Sequence, residues 1–206
     1  MRLHHLTLFC LLAACAQTPV EAPQPSDTTD EEVPFTEADL EGTWESGCVD
    51  PGNGQGFTLQ FDLTDSAWDL DYTTHTDASC ADPFMTVHIE GPYELGSASA
   101  AVDGAREGTF GFTAKSVTPH SAAAAGFLAS ADGCDREGFV AGESADLSTG
   151  CAGIGQYPLA DCSADYDLVH LEESGLRFGA RPADNNMCTP QARPTEMSPL
   201  YLQSES

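Results

Sequence analysis

Cysteine is the residue type here with the most chemistry to offer: the eight are Cys10, Cys15, Cys48, Cys80, Cys134, Cys151, Cys162 and Cys188. No two form a C-x-x-C pair and no histidine clusters with them, so their spacing argues against zinc. His75, His88, His120 and His170 are scattered, without the H-E-x-x-H spacing of a metalloprotease. His88 and His170 fall at polar positions of alternating runs, which predicts solvated or rim histidines rather than general bases. Serine, histidine and aspartate are all present, but no G-x-S-x-G elbow is. Asp62, Asp65, Asp69, Asp71 and Asp77 form an acidic run that lacks the spacing and central glycine of an EF-hand, and reads as the wet face of two strands. The expectation is a protein that is not an enzyme, with no metal site and no cofactor.

The N-terminus carries a different chemistry. Arg2 is the only charged side chain before Glu21, and Leu6 to Ala14 is almost wholly apolar. That is the layout of a secretory signal, far short of the roughly 20 apolar residues that span a bilayer. Leu12-Ala13-Ala14-Cys15 resembles the lipobox of bacterial lipoprotein signals, in which the cysteine takes a lipid and cleavage before it leaves it first in the mature chain. The expectation is an envelope protein tethered to a membrane by lipid on Cys15, with an ordinary signal peptide cleaved elsewhere as the alternative. Ala16 rather than Asp after the cysteine points to the outer membrane. Setting Cys10 and Cys15 aside leaves Cys48, Cys80, Cys134, Cys151, Cys162 and Cys188, and an even number in an exported chain implies disulfides. Six cysteines permit fifteen pairings, so spacing leaves the connectivity open.

Seven basic residues stand against 33 acidic ones, a net charge of -26. Such a surface repels nucleic acid, which is excluded as a partner. It suits solubility in the periplasm or a salty habitat; an acidic surface for a cationic partner is the alternative.

These residues must be positioned by a small core. The chain divides into a signal (1–14), an acidic, Pro-rich tether (15–38) and a folded domain with a C-terminal extension (39–206). Within the domain the pattern is short alternation, the mark of antiparallel strands with one wet face. Phe57, Leu59, Phe61 and Leu63 share one face of a run; Trp68, Leu70 and Tyr72 follow after a turn at Thr64-Asp65-Ser66. Met85, Val87 and Ile89 alternate in the next run, and Phe110 and Phe112 in another. Residues 166–171 and 176–178 flank Glu172-Glu173-Ser174-Gly175 as a hairpin. One segment breaks the rhythm: residues 118–129 are Ala-rich, with Thr118 placed to cap and Pro119 at the first position of a short helix. A strand there is the alternative. From Pro182 the chain is Pro-rich and polar again, yet Cys188 can staple it back and Leu200 to Leu202 can add an apolar contact.

Leu40-Glu41-Gly42-Thr43-Trp44 carries the G-x-W mark of lipocalin-like barrels, whose tryptophan plugs one end. The order that follows is Gly42-Thr43-Trp44-Glu45-Ser46-Gly47-Cys48, then Cys80-Ala81-Asp82-Pro83-Phe84, then a strand ending Glu90-Gly91-Pro92-Tyr93. It resembles the adenomatosis polyposis coli down-regulated family, membrane-anchored inhibitors of Wnt signalling in animals. The likeness is strongest over residues 40–96 and looser afterwards. The animal proteins carry two such domains and a transmembrane helix, so their signalling role does not transfer. The resemblance implies a mainly β, lipocalin-like antiparallel barrel, closed or incompletely closed, with one short helix and three disulfides. It also implies the pair Cys48–Cys80; nearness in sequence suggests Cys134–Cys151 and Cys162–Cys188.

A small barrel not plugged by its own side chains holds one small ligand. Its candidate wall is Phe57, Leu59 and Phe61; Trp68, Leu70 and Tyr72; Met85, Val87 and Ile89; Phe110 and Phe112. The expected function is binding of a hydrophobic ligand, a lipid or acyl chain, with Trp44 assigned to closing the barrel. A solid-core lipoprotein serving protein interaction or structure is the alternative.

Overall fold

In the computed structural model, residues 35–134 and 138–205 are described. The signal, Cys15 and the tether up to residue 34 lie outside them. A four-residue helix α1 (Glu37–Leu40) opens the described chain, its first turn closed by a capping box between Thr36 and Asp39. It delivers Leu40, fully buried, to the foot of the first strand.

Strict alternation then becomes an antiparallel meander: β1 (Gly42–Glu45), β2 (Gly56–Leu63), β3 (Ala67–His75) and β4 (Pro83–Ala98). The turn between β2 and β3 is held at Thr64, whose N–H donates to Ala67 O while its hydroxyl accepts from Ala67 N. At 16 residues β4 is about three times the usual strand length, because one edge pairs with β3 while the other serves two partners in succession. Tyr93 to Ala98 pair with β5 (Arg106–Gly111), while Met85 to Glu90 pair with β6 (Ala114–Pro119). The bend falls at Gly91, where a Cβ would sit 2.1 Å from Gly111 O, so only glycine lets the two backbones approach.

The Ala-rich segment is a helix, α2 (Ala122–Ser130), shorter than expected from Thr118 and Pro119. Both of those residues belong to β6, paired with Thr86 and Met85, because Lys115, Val117 and Pro119 bury on alternate positions and the period of two prevails. Ser121 caps instead, its hydroxyl accepting from Ala124 N. After α2 come β7 (Ala145–Asp146), paired with β6, then the expected hairpin of β8 (Ala164–Glu172) and β9 (Gly175–Phe178).

Through the short β10 (Gln203–Ser204) the strand order is β10-β1-β2-β3-β4-β5-β8-β9. Leu176 and Leu202 then exchange backbone hydrogen bonds of 3.0 and 2.9 Å, joining β9 to the tail that leads into β10. The result is a nearly closed antiparallel barrel whose final stave is the Pro-rich C-terminal segment. Gly175 makes the closure possible, since a Cβ there would lie 2.2 Å from Leu202 O.

All six domain cysteines are in disulfides. Cys48–Cys80 links the β1–β2 and β3–β4 loops, Cys134–Cys151 clips the end of α2 to the loop before Ala152, and Cys162–Cys188 ties the tail to the start of β8.

Candidate functional site in the barrel interior

The inner surface of the barrel is set by strand register. Leu59, Tyr72 and Val87 form one cross-strand row, and Phe61, Leu70 and Ile89 form the next. One end of this surface is filled. Trp44 is buried with its indole N–H donating to Leu40 O at 2.8 Å, in the closing position expected for it. Phe61 stacks on Phe178 at 4.6 Å, and Trp68 meets Phe110 edge-on at 5.2 Å while donating to Gly111 O at 3.0 Å.

The rest is not filled. Phe57, Leu59, Leu70 and Tyr72 point inward from β2 and β3 yet remain only half-buried. They face a cavity of about 510 Å³, within the range of small-ligand sites. Of the eleven wall residues expected from alternation, Phe57, Leu59, Phe61, Trp68, Leu70, Tyr72, Val87, Ile89 and Phe110 line this cavity together. Met85 and Phe112 are placed outside its lining. Met85 is buried opposite Pro119 in β6, and Phe112 lies at the β5–β6 fork with the Lys115 ammonium 3.8 Å above its ring.

The opposite wall comes from residues that alternation in the first half of the chain did not signal. Phe178 ends β9 and Gly179 follows it, Ser198, Leu200 and Leu202 come from the closing tail, and Ile154 to Gln156 from the loop behind Cys151. Cys188 and the Leu200-Tyr201-Leu202 triplet were the sequence hints of the tail's share. Asn185 Nδ2 donates to Gly155 O at 3.2 Å and Tyr157 OH to Asp184 O at 3.0 Å, so the loop and the tail are bound to one another over this side.

That wall carries the charge. Asp165, Asp167 and Arg181 line the cavity. Arg181 is committed to the Asp165 carboxylate and, at 2.7 Å, to Asn185 Oδ1. Asp167 is 5% exposed; its Oδ1 accepts from Leu168 N at 2.7 Å and Gly179 N at 2.9 Å. Burial pushes its carboxyl up to about 6, against the pull of Arg181 and these hydrogen bonds. Burial also raises Asp165, opposed by Arg181 and Lys115, and lowers Lys115. The Tyr72 phenol is raised by burial and stays protonated. Closure of the barrel turns the acids of Asp165-Tyr166-Asp167 toward the cavity.

The other ionisable residues lie elsewhere. His88 stands on the outer face, its Nδ1 2.8 Å from Asp71 Oδ1 and its Nε2 3.7 Å from Glu90. Partial burial works against its protonation, but the Asp71 hydrogen bond and the charges of Asp71 and Asp69 hold its pKa above the ordinary value. His170 Nδ1 lies 3.5 Å from Glu172. Asp77 anchors the loop before β4, accepting from the Ser79 hydroxyl and the backbone N–H groups of Ser79, Ala81 and Asp82.

No curated protein matches the sequence. The profile of the family described as "Adenomatosis polyposis coli down-regulated 1" matches residues 27–144, more than half of the chain. That span supplies the apolar wall from Phe57 to Phe110, whereas Asp165, Asp167 and Arg181 come from beyond it. With its G-x-W start, its Cys48–Cys80 bridge and its antiparallel barrel, this chain belongs to the adenomatosis polyposis coli down-regulated 1 family.

Proposed function

We propose that this chain is an envelope lipoprotein, anchored by lipid on Cys15, whose barrel binds a hydrophobic ligand such as a lipid or acyl chain. One observation carries the ligand reading: Phe57, Leu59, Leu70 and Tyr72 face inward from β2 and β3, stay half-buried, and line about 510 Å³. Apolar side chains left short of full burial inside a barrel gain contacts when an apolar molecule enters, at about 25 cal/mol for each Å² removed from water. Binding, not catalysis, is the activity proposed. The domain cysteines are spent in disulfides, which leaves no thiolate among them to act as a nucleophile.

The anchoring half of the reading rests on the apolar run and Leu12-Ala13-Ala14-Cys15, with Ala16 favouring the outer membrane. Residues 16 to 34 are rich in proline and acids and suit a solvated spacer that holds the barrel off the bilayer.

Purification from membranes, followed by mass spectrometry of extracted small molecules, tests the ligand reading. Stoichiometric apolar material that rebinds after delipidation is the expected result. A protein that purifies empty and takes up no acyl-chain probe supports the solid, interaction-only barrel instead. Mass spectrometry of the mature N-terminus tests the anchor, and an unmodified Cys15 overturns it.

A further inference from the structure

The apolar wall says that a ligand is greasy; the charged wall bears on its head. Asp167 is nine-tenths buried and lines the cavity, and both backbone donors reach the same oxygen, Oδ1. Among the described residues no hydrogen bond reaches Oδ2 and no cation lies within ion-pair distance of this carboxylate. The nearby cations are otherwise occupied. Arg181 is engaged by Asp165 and Asn185, and the Lys115 ammonium rests on the Phe112 ring, outside the cavity lining. Arg193 bonds the Asp167 carbonyl oxygen and Gly108 O, and pairs with Glu107 at 3.4 Å. Among the described residues the charged side chains lining the cavity are thus two carboxylates and one guanidinium, in a chain of net charge -26.

We infer that the cavity takes an amphiphile whose apolar chain ends in a cationic hydrogen-bond donor, an ammonium or amidinium, seated on Asp167 Oδ2. Such a head supplies the missing counter-ion and donor at once, and a charge-assisted bond in a water-poor site is stronger than its exposed counterpart. A free carboxylate head meets the opposite situation: it approaches two acids, and the one guanidinium is already bound. This inference rests on the proposed ligand-binding reading and narrows it to a head-group class.

Three probes of equal chain length separate the possibilities on the full-length protein: dodecylamine, dodecan-1-ol and dodecanoate, each below its self-association concentration. Displacement of an apolar fluorescent dye at neutral pH and fixed salt gives the affinities. Dodecylamine is expected to bind about tenfold more tightly than dodecanoate, the equivalent of about 1.4 kcal/mol. Asp167→Asn should remove about that advantage of the amine over dodecanoate. Asp69→Asn, which takes the same charge from the outer face, should leave all three unchanged and so exclude general attraction to an acidic surface. Dodecanoate binding as tightly as the amine, or an amine preference that survives in Asp167→Asn, overturns the head-group inference and leaves the cavity reading intact. If neither the dye nor any probe binds, the cavity reading itself falls. The wild-type ranking alone decides the matter if Asp167→Asn does not fold.

Discussion

The two ends of this barrel are built from the same alternating strands and differ in what occupies the middle. At the Trp44 end, Phe61, Leu63, Trp68 and Phe110 are all below a tenth exposed and their rings interlock. Two to four residues along the same strands, Leu59, Leu70 and Tyr72 have the same direction and similar size but only half the company. Alternation therefore decides which side chains point inward. Whether they meet one another depends on curvature and on what crosses from the far wall. Phe178 crosses to stack on Phe61, whereas Asp165, Asp167 and Arg181 line the cavity from the same far wall with polar groups that do not close onto apolar neighbours.

The contrast can be broken by truncation. Trp68→Ala should cost about 3–5 kcal/mol, as expected for a packed aromatic, whereas Leu70→Ala should cost about 1 kcal/mol because its surroundings are already partly empty. Chemical denaturation of the two variants checks this, and equal losses would erase the distinction between the ends.

Next in size is the staple on the hollow side. Replacing Cys162 and Cys188 together by Ala frees the tail that carries Asn185, Leu200 and Leu202, and should cost about 2–4 kcal/mol. Hydrogen exchange should show the added opening at residues 184–202 and not along β2 or β3.

The charged wall has its own signature in pH. Asp167 titrates at about 6 in the fold against an ordinary 3.8, with Arg181 and Asp165 the charges that face it. Between these values the folded chain keeps a proton that the unfolded chain has lost. The group therefore contributes stability that is fully present below about pH 4 and fades as pH rises through about 6. The shift corresponds to about 3 kcal/mol. Asp167→Asn should lose this pH dependence while keeping the buried shape, as a series of denaturation curves from pH 4 to 7 would show.

His88, outside the barrel, runs in the same direction and much more weakly. Its raised pKa stabilises the fold at low pH and the gain is lost as pH rises through the folded value, but the pair is solvent-screened. His88→Gln should change stability by no more than about 0.5 kcal/mol at either end of that range.

The comparison also explains what could be read from the sequence. The apolar wall was legible because apolar and polar residues alternate over Phe57–Leu63, Trp68–Tyr72 and Met85–Ile89, so these side chains declared their side without a structure. Trp44 was legible through its neighbours, Gly42 before it and Cys48 after it. The far wall was not. Leu200 to Leu202 suggest an apolar contact but not where it is made, because the partners of Met197 and Leu202, Gly179 and Leu176, lie about twenty residues or more upstream and no local period announces the pairing. Asp165 and Asp167 carry no local signal for a related reason: alternation marks two faces of a strand, but which face is inside depends on a closure made elsewhere. The helix start failed differently, since Thr118-Pro119 is good capping chemistry that lost to the pairing of β6 with β4.

The central claim is that space, not packing, occupies the middle of this barrel, and Leu70→Trp tests it most directly. Leu70 sits on the cavity wall between Phe61 and Ile89, so a larger side chain there enters the empty volume. Denaturation and titration with an acyl-chain fluorescent probe should be measured on the same preparation. The account predicts unchanged or increased stability together with loss of probe binding. A variant destabilised by about 1–3 kcal/mol, as in an overpacked core, or one that binds the probe as the wild type does, would contradict it.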